Sequence, residues 1–207
     1  MTNADVHAIG YIAQGLFSSR FLIQWISSEK AGKVLAPTLF WQISLIASFL
    51  FIFYSILIKD VSILLGQVLG YYIYVRNLRL KNSWRILPLY FRYLVVAVPV
   101  IALAILLFGG EYSFSSMLKF NTNGAILFWG LLGQVIFSCR FIYQWYYSEK
   151  VKKSVLPLGF WIFSIIGSII ISSYSFYLGL YPILIGHLFG LVLYSRNVVI
   201  YKKGRTR

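Results

Sequence analysis

The chain has 207 residues, 59% of them hydrophobic, with a mean hydropathy of +0.77, too apolar for an ordinary soluble domain and indicative of an integral membrane protein. Nineteen basic residues against five acidic ones give a formal charge of +14. The cations lie mostly in short stretches between apolar runs, where the positive-inside rule accounts for them, so nucleic acid is set aside as a partner.

Seven spans can be drawn, each near the ~20 residues that a bilayer needs. The first covers 8–28. The N-terminus before it has no basic region, so no cleaved signal peptide is expected and this span stays in the mature protein. Its polar end is Ser28-Glu29-Lys30-Ala31-Gly32-Lys33. Pro37 opens the second span, 37–58, as proline suits a first helical turn. Lys59-Asp60 is expected as a tight turn. The third span, 61–80, closes on Arg76-Asn77, and Arg79, Lys81 and Arg85 follow. The fourth, 87–108, contains Pro99. Gly109-Gly110 and residues 111–122 form the longest expected loop. The last spans are 124–147, 157–179 and 181–201, before a basic tail from Lys202 to Arg207. The single cysteine, Cys139, excludes an internal disulfide and a cysteine metal cluster, and reads as an inert packing residue.

A shift of 120 residues aligns the first three spans with the last three without a gap. Arg20, Gln24, Trp25 and Glu29 meet Arg140, Gln144, Trp145 and Glu149. Pro37, Trp41, Ser44 and Ser48 meet Pro157, Trp161, Ser164 and Ser168. Gly66, Gly70, Tyr74, Arg76 and Asn77 meet Gly186, Gly190, Tyr194, Arg196 and Asn197. Of the 64 positions in 14–77, 26 are identical to their partners, and chance similarity of apolar helices does not preserve Arg, Gln, Glu and Asn at one offset. The expected architecture is an all-α membrane protein of seven transmembrane helices. Residues 1–80 form one three-helix repeat, 81–122 a linker helix and loop, and 123–207 the second repeat with its basic tail. The loop charges place the N-terminus outside and the C-terminus in the cytoplasm. The two repeats then run parallel, a 3+1+3 plan shared with the small sugar transporters called SWEETs.

The pattern Gln-x2-Phe-x2-Arg-Phe-x2-Gln-Trp-x2-Ser-Glu, then Pro-x2-Phe-Trp-x2-Ser, then Gly-Gln/His-x2-Gly-x3-Tyr-x-Arg-Asn, occurs in both halves. It resembles the lipid-A-disaccharide synthase N-terminal-like (LAB-N) family. The resemblance implies a multi-pass protein of the bacterial inner membrane, grouped with the SWEET and PQ-loop superfamily and linked to lipid A or to lipid-linked sugars.

An arginine inside a span costs roughly 3 kcal/mol on insertion scales, so one borne twice at equivalent places points to use. Arg20 and Gln24 are one turn apart and share a helix face. Arg20, Arg140, Arg76 and Arg196 form a repeat-related set that Glu29 and Glu149 partly neutralise. The remaining charge suits a phosphate, which arginine binds bidentately. Gln24, Gln144, Ser44 and Ser164 are placed to hydrogen-bond sugar hydroxyls, and Trp41 and Trp161 to stack on a sugar ring. Asn77, Asn197 and His187 complete the candidate substrate-binding set.

Plainer roles stand beside these. Arg76 and Arg196 also suit interfacial anchors. Arg20 and Arg140 also suit structural pairs, and Trp25 and Trp145 an interfacial belt. The serines, with glycines 66, 70, 186 and 190, also suit helix packing. His187, opposite Gln67 in the repeat, reads better as a buried hydrogen-bonded residue than as a proton relay. No metal site, cofactor or catalytic dyad is apparent, and the chain is expected not to be an enzyme. The expected function is a transporter or flippase for a polyprenyl-phosphate-linked sugar, or a related anionic glycolipid, used on lipid A or another envelope glycan. The alternatives are a membrane subunit docking a lipid-sugar glycosyltransferase, and a small sugar uniporter. The expected partners are membrane lipids, the lipid-linked sugar and a membrane glycosyltransferase.

Overall fold

A computed structural model describes residues 3–57, 61–108, 124–179 and 181–205. The turn expected at Lys59-Asp60 and the loop expected over 109–122 lie outside the described residues. Seven helices are described: α1 (Asn3–Ala31), α2 (Thr38–Leu57), α3 (Val61–Leu80), α4 (Leu89–Phe108), α5 (Gly124–Val151), α6 (Leu158–Tyr177) and α7 (Tyr181–Arg205). They follow the seven apolar stretches closely. Among the described residues, four are long and apolar enough to cross a membrane, by length and composition: Thr38–Leu57, Gly124–Val151, Leu158–Tyr177 and Ile183–Gly204. They mark the chain as membrane-associated.

The contacts divide the chain into two units. The first comprises the described residues within Met1–Ile23 and Pro37–Phe120, and the second those within Gln24–Ala36 and Asn121–Arg207. The last turns of α1 therefore count with α5, α6 and α7, and the linker helix α4 with the first three helices.

In the first unit the core is aromatic. Phe17 of α1 lies 5.3 Å from Phe51 of α2, and Phe21 lies 5.9 Å from Phe40. Trp41 of α2 packs on Tyr74 of α3 at 6.0 Å. Helix α4 buries a narrow stripe, Val95 and Ala102, two turns apart, while Tyr90, Tyr93 and Val100 are exposed. Pro99 lies inside α4.

In the second unit α5 and α6 approach closely through glycines. A Cβ on Gly167 would sit 2.8 Å from the backbone of Phe137, and one on Gly133 would meet Ile170 at 2.8 Å. Helix α7 closes the unit through Tyr194, 6.1 Å from Trp161 and 6.4 Å from Phe137.

The repeated glycines differ from the packing role considered for them. A Cβ at Gly66 or Gly186 would meet nothing within 4 Å. At Gly70 and Gly190 it would meet the ring of the tyrosine one turn on, Tyr74 or Tyr194, at 3.0–3.1 Å. These two glycines make room for a tyrosine of their own helix.

Each α1-type helix ends in the same lock. Gln24 Nε2 donates to Leu35 O at 3.1 Å, and Leu35 N donates to Ser28 Oγ at 3.0 Å. Gln144 Nε2 donates to Val155 O at 2.9 Å, and Val155 N donates to Ser148 Oγ at 3.2 Å. The lock returns the chain to Pro37 and Pro157. Each proline stands just before the first helical residue rather than in the first turn.

The turn inside each lock needs a left-handed residue. Gly32 supplies it with φ +62°, whereas the equivalent position holds Lys152 at φ +52°. A side chain in that region costs roughly 1–2 kcal/mol, a cost glycine avoids. Lys152→Gly is therefore expected to raise the thermal midpoint in detergent by a few degrees. An unchanged or lower midpoint would refute the strain assigned to this position.

Candidate functional site

In the first unit Arg20 is 3% exposed. Side chains of its own unit surround its charge. Nη1 donates to Ser44 Oγ at 2.8 Å and to Tyr74 OH at 3.1 Å. Four rings surround the guanidinium: Phe17 at 4.1 Å, Phe21 at 4.8 Å, Phe40 at 5.3 Å and Tyr74 at 5.5 Å from their centroids. A desolvated cation over such faces gains about 2 kcal/mol or more. Ser44 in turn donates to Phe40 O at 2.6 Å, which leaves its oxygen lone pairs toward Arg20.

The second unit repeats the burial and the surrounding rings. Arg140 is 5% exposed and lies over Phe137 at 3.3 Å and Phe141 at 4.6 Å. Ser164 donates to Phe160 O at 2.7 Å, as Ser44 does to Phe40.

Trp41 and Trp161 are completely buried, each edge-on to the preceding phenylalanine and tilted on the repeat-related tyrosine. Their ring neighbours are Phe40 and Tyr74 in the first unit and Phe160 and Tyr194 in the second. What remains for chemistry is the indole N–H. Among the described residues neither Trp41 Nε1 nor Trp161 Nε1 has an acceptor. A buried donor left unmatched costs roughly 1–3 kcal/mol, and this one recurs at the 120-residue offset.

Gln24 and Gln144 are committed to the chain itself through the locks, and Gln24 Nε2 also donates to Asn197 Oδ1 at 2.9 Å and to Ser28 Oγ at 2.9 Å. Their amide hydrogens are spent on protein acceptors, whereas the buried Gln24 Oε1 has no hydrogen-bond donor among the described residues. Asn77 and Asn197 both donate to the carbonyl one turn back, Ile73 O and Leu193 O, at 2.9 Å. Arg76 is half-buried near the end of α3.

Glu29 faces Arg196 in a two-pronged ion pair, Nε to Oε1 and Nη2 to Oε2, the latter at 3.1 Å. Trp25 Nε1 donates to the same carboxylate at 3.0 Å. Together with Gln24–Asn197, this ties the last turns of α1 to α7. The equivalent Glu149 takes Lys152 at 3.3 Å. The Arg196 hydrogen bond, supported by Trp25, holds the Glu29 carboxyl below its ordinary 4.5 despite opposing desolvation. A carboxylate with a depressed folded pKa contributes stability that is complete above its unfolded value and lost as pH falls through the folded one. Amide exchange over residues 24–36 is thus expected to stay slow down to pH 4.5 and to quicken below it. Exchange independent of pH across that window, after correction for intrinsic rates, would refute the latch.

His187 Nδ1 lies 3.0 Å from Ser168 Oγ, and its ring meets Phe137 at 4.9 Å. In the first unit Ser48 Oγ donates to Gln67 Oε1 at 2.7 Å. The two polar groups replace each other at one hydrogen bond, which accounts for the difference between the repeats at this position.

Sequence reasoning missed Tyr74 as a partner of Arg20. Its signal was present, since Tyr74 and Tyr194 coincide in the repeat. A tyrosine inside an aromatic-rich span, however, gives no indication of which charge its hydroxyl meets.

The family model "Lipid A Biosynthesis N-terminal domain" matches twice, at residues 9–79 and 129–199, the same 120-residue offset. The lipid-A-disaccharide synthase of Chlamydia pneumoniae is 31% identical over 182 residues, covering 84% of this chain and 30% of that protein. That of Chlamydia felis (strain Fe/C-56) is 29% identical over 212 residues, covering 97% and 34%, and that of Chlamydia abortus (strain DSM 27085 / S26/3) is 30% identical over 213 residues, also 97% and 34%. The chain thus spans about a third of the length of these curated relatives. No solved structure matches it. The relatives carry the name of an enzyme, lipid-A-disaccharide synthase, which overturns the expectation that the chain is not an enzyme. With both halves matched over most of its length, the chain belongs to the Lipid A Biosynthesis N-terminal domain family.

Proposed function

We propose that this chain is the membrane part of a lipid A glycosyl-transfer system, binding the phosphate of a lipid-linked sugar of the polyprenyl-phosphate type and carrying it across the inner membrane. In this reading all seven helices span the bilayer as two parallel repeats joined by α4, in the 3+1+3 manner of SWEETs. The N-terminus is periplasmic and the C-terminus cytoplasmic. Alternating access arises from one repeat rocking against the other. The lipid tail stays in the bilayer while the head group rides among the arginines.

The observation that carries the reading is a buried donor cluster present in each repeat. Arg20 or Arg140 supplies the cation, and Trp41 or Trp161 adds an indole N–H with no acceptor among the described residues. Groups that only donate suit an anion and not a neutral sugar, which argues against the uniporter alternative.

The relatives' name favours a second reading, in which the chain stays beside a glycosyltransferase and presents the lipid to it. One experiment separates the two. Lipid A composition and the pool of polyprenyl-phosphate sugars are measured in a deletion strain and its parent. A sugar missing from lipid A while its lipid-linked donor accumulates supports transport. Loss of sugar and donor together supports the presenting role in synthesis. Unchanged lipid A and an unchanged pool would overturn both.

A further inference from the structure

A groove of about 430 Å³ lies in the second unit between the first two turns of α6 and the last turns of α7. Its walls are Leu158, Ile162, Ile165, Ile166 and Val198, and Lys202 stands at one end. Ile162 and Ile166 are 43% and 44% exposed, so the apolar walls open outward. In water such a face would be unfavourable, whereas within a bilayer it accepts a hydrocarbon chain.

The charge at this end of the unit is one-sided. Its only side-chain carboxylates are Glu29 and Glu149, bound to Arg196 and Lys152 respectively. Exposed Lys202 lines the groove, Lys203 follows it in the chain and also acts on Glu29, and Gly204 backs onto Lys33 of the α1–α2 turn. A second copy of the chain would bring the same excess of cations, so like charges oppose a self-contact here. A phosphate is attracted instead, since basic pockets between helices at a membrane surface favour anionic head groups.

We infer that this groove is a binding site for an anionic phospholipid, with one acyl chain lying along Leu158, Ile162 and Val198 and the phosphate on Lys202. The site is separate from the arginine clusters and does not depend on the transport reading.

The test uses the full chain in nanodiscs containing phosphatidylglycerol or phosphatidylcholine, each with a photoreactive diazirine in the acyl chain, and maps adducts by mass spectrometry. Phosphatidylglycerol is expected to label the segments around residues 162–166 and 198 about fivefold more than phosphatidylcholine. Lys202→Glu is expected to remove that preference, and Ile162→Trp, which fills the groove, to remove labelling by both lipids. Lys202 is exposed and Ile162 half-open, so both variants keep the core, which is checked by their thermal midpoints. Equal labelling by the two lipids, labelling indifferent to Lys202→Glu, or chain-to-chain crosslinks through the groove would each overturn the site.

Discussion

Arg20→Met and Arg140→Met are each expected to reproduce the lipid A profile of the deletion strain while the protein reaches the membrane at its normal level. Methionine keeps most of the side-chain volume and the apolar stem but removes the charge. In the first unit the loss strips the donor from Ser44 Oγ and Tyr74 OH, now 2.8 and 3.1 Å from Nη1. Ser44 keeps its bond to Phe40 O, and the loss is partly regained because no desolvated cation remains to be held. Folding should therefore survive while the proposed anion binding does not. Arg20→Lys keeps the charge but not the planar group that lies among four rings, so partial activity is expected from it. The readouts are lipid A composition and the membrane fraction by immunoblot. Normal lipid A from both methionine variants would remove the arginines from function and leave them as packing residues.

Much of this was legible in the chain. Arg20 stood out because a charge in an apolar run is costly, and its recurrence at Arg140 excluded accident. The helices followed the apolar stretches because in a span every backbone group must be satisfied locally, which ties helix to hydropathy. The partners of those charges were not legible. Gln24 and Gln144 looked like ligands for hydroxyls, yet their amides hold a backbone carbonyl eleven residues ahead. That contact depends on the path of a short loop, which residue type does not encode. Trp41 and Trp161 looked like platforms because tryptophan so often is one. They are completely buried, with Tyr74 and Tyr194, which use the space left by Gly70 and Gly190, among the rings against them. The enzymatic connection was lost for another reason. The connection lies in the relatives, of whose longer synthase the chain matches about a third.

The second large effect concerns the spacing of α5 and α6. A Cβ on Gly167 would stand 2.8 Å from Phe137 N, Cα and Cβ. Two of these are backbone atoms and cannot rotate aside, so the helices themselves must part. Overpacking of this kind costs roughly 1–3 kcal/mol for a small addition. Gly167→Ala is thus expected to lower the thermal midpoint in detergent by several degrees, and Gly167→Leu to prevent a stable fold. The equivalent place in the first unit is Ala47, fully buried, so the methyl that α2 accommodates is the one that α6 excludes. Ala47→Gly serves as the control and should cost no more than about 1 kcal/mol through lost helix propensity and a small void. The effect reaches beyond stability, because Phe137 carries the Arg140 guanidinium at 3.3 Å and touches His187 and Tyr194. Moving α5 away from α6 shifts that ring and with it the charge it supports. Gly167→Ala should therefore impair lipid A modification at temperatures where the variant is still folded, whereas Ala47→Gly should not. A fully active Gly167→Ala protein at those temperatures would mean that Arg140 tolerates displacement, and that its position is not set by the approach of these two helices.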